Sequence, residues 1–303
     1  MISTDLPPAV SSVVRPRDAR AFAGVLFELC KPKITRMVLV TTAAGAAMAP
    51  GPIADWAKLA WAMLGTALIV ASANALNMYL EGDVDALMTR TRDRPIPSGR
   101  IEPEVALWFG AAMAALGLPM LDFMVNPATA FVGGFALLSY VLVYTPLKRF
   151  SPLAVWVGAI PGAAPPLMGW TAMTGAIGAA AVSVFLLMFI WQIPHFHAIA
   201  VFRMDEYRRA GLKVLPAEKG LAYTKATIIG LLVVQLAVSA LPAAFGLGGK
   251  PYVIAATVLG LAYLGWGLAG LRANAGARWA RTLFFVSLPY LLVLFGLLVA
   301  FAD

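Results

Sequence analysis

The sequence predicts an all-α polytopic membrane protein of nine spanning helices, and three observations predict it. Its 303 residues are 61% hydrophobic and only 13% charged, with a mean hydropathy of +0.82, outside the range of an ordinary soluble domain. Nine apolar stretches reach the ~17–25 residues that a helix needs to cross a bilayer. The basic residues collect on one side of those stretches, as in a chain threaded back and forth through a membrane.

The stretches lie at about 34–50, 56–79, 104–123, 126–145, 152–172, 176–198, 225–245, 252–271 and 282–302. Gly and Pro recur inside them, which is tolerated where neighbouring helices satisfy the freed backbone groups. Ahead of the first, Pro7, Pro8, Pro16 and three arginines leave no apolar centre for a cleavable signal. Residues 1–30 are therefore expected to be a flexible cytoplasmic tail, and 31–303 a single transmembrane domain.

Charge then orients the chain. All but Lys58 and Lys250 of the 23 Lys and Arg fall at the N-terminal end or in the loops after stretches two, four, six and eight. That bias places the N-terminus and those loops in the cytoplasm and the C-terminus outside. It also accounts for the net charge of +8 without nucleic acid. The single cysteine, Cys30, excludes a disulfide framework within the chain and a multi-cysteine metal site. Stretches two and six both run inward and both end in polar motifs, which suggests two related four-helix halves with a ninth helix appended.

The first polar motif follows stretch two. Asn77, Glu81 and Asp85 recur at i, i+4 and i+8, so they share one face of a continuing helix, with Asp83 off that face. Arg90, Arg92 and Arg94 come next, then a break at Pro95 and Pro97. One reading is a solvated helix end. The other is a divalent cation holding a phosphate between carboxylates and guanidiniums. Carboxylates at a helix C-terminus oppose its dipole by about 0.3–1 kcal/mol each, and a bound Mg²⁺ would remove that penalty.

Two further stretches carry chemistry. Tyr144 and Lys148 are four apart, so one helical turn could aim both at a phosphate, although Pro146 lies between them. Equally, Tyr144, Lys148 and Arg149 suit an aromatic belt with basic anchors. Stretch six ends in Trp191, Gln192, Ile193, Pro194, His195, Phe196 and His197, holding both histidines of the chain. Positions i and i+2 on a helix do not face one metal. Haem ligation, proton transfer and packing remain open for them, with packing favoured for His197. Beyond them, Asp205 and Glu206 are candidates for a second cation.

Together these stretches carry a resemblance. Asn77-x3-Glu81-x3-Asp85, continued by Met88, Arg90, Thr91, Arg94 and Pro95, is similar to the first motif of the UbiA-type intramembrane prenyltransferases. The continuation resembles their haem O synthase branch, as do YTPLKRFSP at 144–152, GAIPGAAPPLMGW at 158–170 and WQIPHFHAIAVFRMDEYRRAGLKVLP at 191–216. The likeness spans essentially the whole chain from Lys31. It implies nine helices around a central cavity, closed at the cytoplasmic end by two acidic loops.

The resemblance implies farnesyl diphosphate and haem B as substrates and Mg²⁺ as the metal. Asn77, Glu81, Asp85 and an acid of the second motif, Asp205 or Glu206, would hold the ion. Arg90, Arg94 and Lys148 would neutralise the remaining charge, and Tyr144, Arg149, Trp191, His195 and Tyr207 would line the substrates, His195 toward the haem. The wider family shows DxxxD in the second motif, whereas Asp205 and Glu206 are adjacent here. A lipid bilayer, taken as an inner membrane from the composition, and a downstream haem A synthase complete the implied partners. An aromatic or quinone precursor is the alternative acceptor. A transporter fits less well, because the acids gather at one membrane face instead of the midplane.

Overall fold

A computed structural model describes residues 19–302, and every regular element among them is helical. The expected N-terminal tail ends early. Helix α1 (Ala19–Leu29) buries Val25 and Leu29 against Ala75, Met78, Ile101 and Ala106. Prolines and arginines dominate only up to Arg17; beyond it, apolar residues at helical spacing give α1 a face to bury. The rest of the expected tail, residues 1–18, lies outside the described residues.

The chain continues through α2 (Pro32–Ala47), α3 (Trp56–Leu80) and the short α4 (Gly82–Leu87). Helix α5 (Pro103–Met124) follows, then α6 (Pro127–Leu138), which passes through a π-helical turn (Ser139–Tyr144) into α7 (Thr145–Leu147). Side chains set the starts of two of these helices. Asp55 accepts from Lys58 N at 2.8 Å to open α3, and Asn126 accepts from Thr129 N at 2.9 Å to open α6. The second half holds α8 (Ala154–Thr174), α9 (Ala179–Phe202), the short α10 (Met204–Arg209) and α11 (Leu215–Glu218), α12 (Gly220–Ala244), α13 (Gly249–Leu268) and α14 (Ala277–Ala300).

Each of the nine predicted stretches meets a long helical segment. Among the described residues, seven helices are long and apolar enough to cross a membrane, and the chain is a multi-pass membrane protein. The other two are α2, with 16 residues, and α8, which carries Pro161, Pro165 and Pro166. These two approach each other backbone to backbone. A Cβ added at Gly169 would lie 1.8 Å from Thr42 O, and one at Gly45 would lie 2.0 Å from Pro166 O. Close approach demands small residues, and small residues lower the hydropathy of the helices that carry them.

Successive long helices pack side by side from α3 round to α14, and α14 returns to touch both α9 and α2. One apolar cluster joins α8 and α9 to α12, α13 and α14; a second joins α8 to α3, α5 and α6. Helix α8 serves both. At the polar end, Val84 and Met88 pack on Ala210 and Leu212 with Tyr207, so the loops after α3 and α9 meet over the bundle.

Candidate active site

The first motif folds differently from a continuing helix. Glu81, at φ −113° and ψ 14°, closes α3 and opens α4, where Gly82 is the first residue. Glycine is a weak helix former, so the break falls at the point of least resistance. The new helix still bonds back, Asp85 N donating to Glu81 O at 2.7 Å. Asn77, Glu81 and Asp85 therefore line one cavity as their spacing predicts. Asp83 and Asp85 sit in the first turn of α4, where a negative charge is favoured, so for them the expected dipole penalty does not arise.

All three side chains are buried, and each has a partner. Asn77 Nδ2 donates to Glu81 Oε2 at 2.7 Å and to Thr145 Oγ1 at 3.3 Å, while its Oδ1 accepts from Lys31 Nζ at 3.1 Å. Lys148 Nζ reaches Glu81 Oε1 at 2.5 Å, and Arg94 Nη1 reaches Asp85 Oδ2 at 2.6 Å. Thr91 Oγ1 donates to Asp85 O at 2.8 Å, which ties the arginine loop to α4. The cavity so formed encloses about 250 Å³, with Arg90, Tyr140, Tyr144, Tyr207 and His197 also on its walls.

The π-helical turn explains how Tyr144 and Lys148 meet despite Pro146. A proline inside a helix cannot donate to the carbonyl four residues back and crowds it. The chain widens instead: Thr145 N bonds to Tyr140 O, and so does Thr145 Oγ1 at 2.9 Å. Lys148 Nζ then lies 4.7 Å from the centre of the Tyr144 ring. Burial opposes the Lys148 charge, but Tyr144 and Glu81 outweigh it and hold the ammonium above its ordinary range.

Lys31 is a site residue that the motif reading passed over, having counted it only as charge. It joins α1 to α2 at φ +46°, the one non-glycine residue with positive φ among the described residues. That backbone turn places its ammonium on Asn77. Burial, reinforced by the Arg94 charge and opposed by Asp85, pushes Lys31 down to about 7.

Other expected residues stand elsewhere. Arg149 is turned away from the cavity and clasps exposed Asp83 through two bonds, 2.8 and 2.6 Å long, which hold the Asp83 carboxyl below its usual range. So exposed a pair is worth ~1 kcal/mol or less. Arg149→Ala is accordingly expected to keep transfer activity within about fivefold of the parent, a 1.4 kcal/mol change being tenfold. A loss as deep as that of a cavity residue, in side-by-side initial rates, would return Arg149 to the substrate.

The structure does not bring the second acidic pair into this cavity. Glu206 accepts from Arg203 Nη1 at 2.9 Å and from the backbone N of Arg90 at 3.3 Å. Asp205 is exposed and lines a separate hollow with Arg203, Arg209 and Arg281. Arginines surround both acids, and the bond to Arg90 makes Glu206 a clasp between the two loops.

The two histidines part company. His197 faces the polar cavity, whereas His195 and Trp191 line an apolar one of about 990 Å³ between α2, α9 and α14. Ile34 and Phe196 border both, so the cavities adjoin. Trp191 is held by its Nε1 donating to Ser287 O at 2.8 Å.

A helical membrane bundle with buried carboxylates and cations around one polar cavity, beside a large apolar one, is suited to an amphiphile with an anionic head. The chain belongs to the UbiA prenyltransferase family, whose model matches residues 38–288, and it is a prenyltransferase. It is 55% identical over 242 residues to the protoheme IX farnesyltransferase of Sorangium cellulosum, covering 80% of this chain and 86% of that one. To the protein of the same name from Myxococcus xanthus it is 48% identical over 276 residues, covering 91% and 94%. Its fold is similar to that of a UbiA homologue from Archaeoglobus fulgidus bound to GPP and Mg²⁺, with a TM-score of 0.71, 17% identity, and 90% and 99% of the two chains covered.

Proposed function

We propose that this chain transfers the farnesyl group of farnesyl diphosphate to a vinyl side chain of haem B, with addition of water, to give haem O and diphosphate. The observation that carries this reading is the polar cavity, where Asn77, Glu81 and Asp85 face Lys31, Lys148 and Arg94 directly beside an apolar space. The names of relatives aligned over most of the chain support haem as the acceptor.

The donor set fits a divalent cation. Asn77, Glu81 and Asp85 offer oxygen ligands on one wall, and the buried Glu81 Oε1 meets only the Lys148 ammonium. A Mg²⁺ bound there would draw off the negative charge that develops on the departing diphosphate. Lys31, Arg90, Arg94 and Lys148 take the remaining phosphate oxygens and stabilise the same charge. The bond from C1 to oxygen breaks with its electron pair on diphosphate, and the vinyl π electrons form the new bond to C1. Water then adds to the cation left beside the porphyrin ring and loses one proton. Farnesyl diphosphate, haem B and water thus become haem O, diphosphate and a proton. The apolar walls keep bulk water from C1 while that charge exists.

In this reading the bias of Lys and Arg supports a cytoplasmic N-terminus and polar end with the C-terminus outside, and the composition supports an inner membrane. Haem O leaving the site is substrate for a haem-oxidising enzyme, and a haem A synthase is the downstream partner in this reading. The test is to give the purified protein haem B, farnesyl diphosphate and Mg²⁺ and to resolve the extracted haems by chromatography and mass. A more apolar haem, heavier by the elements of farnesol, is the expected product. Prenylation of an aromatic acid in its place would keep the diphosphate half and overturn the acceptor.

A further inference from the structure

Helix α9 passes the apolar cavity with one polar ring on its wall. His195 is only 7% exposed and lines that cavity. Its ring packs against those of Trp191 and Phe284, each with its ring centre 4.6 Å away, and Phe196 meets it edge-on. The ring is therefore fixed in orientation. On one edge, Nδ1 lies 2.6 Å from Ser287 Oγ.

Ser287 anchors one nitrogen of the ring. Its hydroxyl donates to the carbonyl oxygen of Phe284 at 2.6 Å. With that proton on the carbonyl, Ser287 Oγ is left to accept from His195 Nδ1. In this arrangement His195 donates from Nδ1. In the neutral imidazole that leaves Nε2 with a bare lone pair, and no hydrogen-bond donor to it occurs among the described residues. A histidine whose first nitrogen is anchored to an oxygen while the second is free is the arrangement of a metal-ligating imidazole, with tautomer and aim set by the anchoring bond.

We propose that His195 Nε2 is an axial ligand to the iron of the acceptor haem, which lies in the apolar cavity, with Ser287 as the residue that positions it. This rests on the haem-farnesylating reading and names how the acceptor is held. The space of about 990 Å³ stands at the upper end of the ~300–1,000 Å³ of ligand pockets and suits a large flat apolar ring. The one charged residue on its lining, Lys33, has the sign that a porphyrin propionate needs. The border at Ile34 and Phe196 sets the haem edge beside the polar cavity, where the diphosphate half is proposed to lie.

The test compares binding of haem B with that of metal-free protoporphyrin IX to the purified protein, by absorbance and resonance Raman spectroscopy. The wild type is expected to bind haem B more tightly and to show an iron–histidine stretch in the ferrous state. His195→Gly is expected to lose that band and to regain an iron–imidazole band when imidazole is added, while its binding of metal-free protoporphyrin IX persists. Ser287→Ala, which keeps the ring and frees its tautomer, is expected to weaken haem binding by about tenfold, as for loss of an outer partner of a ligating histidine.

An unchanged haem spectrum in folded His195→Gly would overturn the inference. Equal affinity of the wild type for haem B and metal-free protoporphyrin IX would also overturn it, leaving the cavity to a prenyl tail or lipid without ligation. The two readings fail separately. Farnesylation with an unchanged His195→Gly spectrum removes the ligand and keeps the reaction. An iron–histidine band without any haem O removes the reaction and keeps the ligand.

Discussion

Glu81→Gln is expected to lower farnesyl transfer by about 10²–10³-fold, the scale of losing one preorganised charge-stabilising group. Glutamine keeps the length of the side chain and can still accept from Asn77 Nδ2. It removes the negative charge that offers itself to a cation and that faces Lys148 at 2.5 Å. Two effects then act together. On the proposed reading the metal loses a carboxylate ligand, and the Lys148 ammonium, left without its partner, competes with the cation for the same phosphate oxygens. The measurement is the initial rate of haem O formation across a Mg²⁺ titration, with haem B binding as the control. The expected variant needs more Mg²⁺, does not regain the parent rate at saturation, and still binds haem B. A rate within tenfold of the parent at the same Mg²⁺ would take Glu81 out of the metal site.

Gly169→Val is expected to prevent stable accumulation of the protein. The first added atom alone would lie 1.8 Å from Thr42 O and 2.7 Å from Ala46 N, and both are backbone atoms of α2. Overpacking against side chains costs typically about 1–3 kcal/mol because they rotate away. A backbone carbonyl cannot do so without moving the helix that carries it, so the cost here is expected above that range. Moving α2 would also open the wall that it gives to both cavities. Gly230→Ala is the matched control. Nothing lies within 4 Å of the added Cβ, and alanine favours the helix by about 1 kcal/mol. Detergent-solubilised yield and the thermal unfolding midpoint separate the two, and equal midpoints would mean that the α2–α8 crossing is not held by close approach.

The first motif was legible because its logic is local. Asn77, Glu81 and Asp85 stay on one wall even though the helix breaks between them, since α4 resumes in register through Asp85 N and Glu81 O. Adjacency to a motif does not by itself bring a side chain to the cavity wall. Arg149 follows Lys148 in the chain, yet one turns to exposed Asp83 and the other to buried Glu81. Glu206 bonds to Arg203, and Asp205 lines a separate hollow with arginines, so neither stands on the wall of the polar cavity. Lys31 is on that wall unannounced, for no pattern marks a lysine whose placement depends on a left-handed backbone turn.

By itself the sequence determined the membrane-spanning class, the apolar stretches and the spacing of the first acidic motif. Each of these depends on neighbours within a few helical turns or on the summed transfer energy of one segment. Only the tertiary structure decided which charges meet. Lys31 is 46 positions from Asn77, and Ser287 is 92 from His195. Whether such pairs touch depends on how helices cross, and at α2 and α8 that crossing is set by the missing side chains of Gly45 and Gly169. The histidines show the same division. Their spacing says that they face apart, while the packing of α2 and α14 around α9 gives one a polar cavity and the other an apolar one.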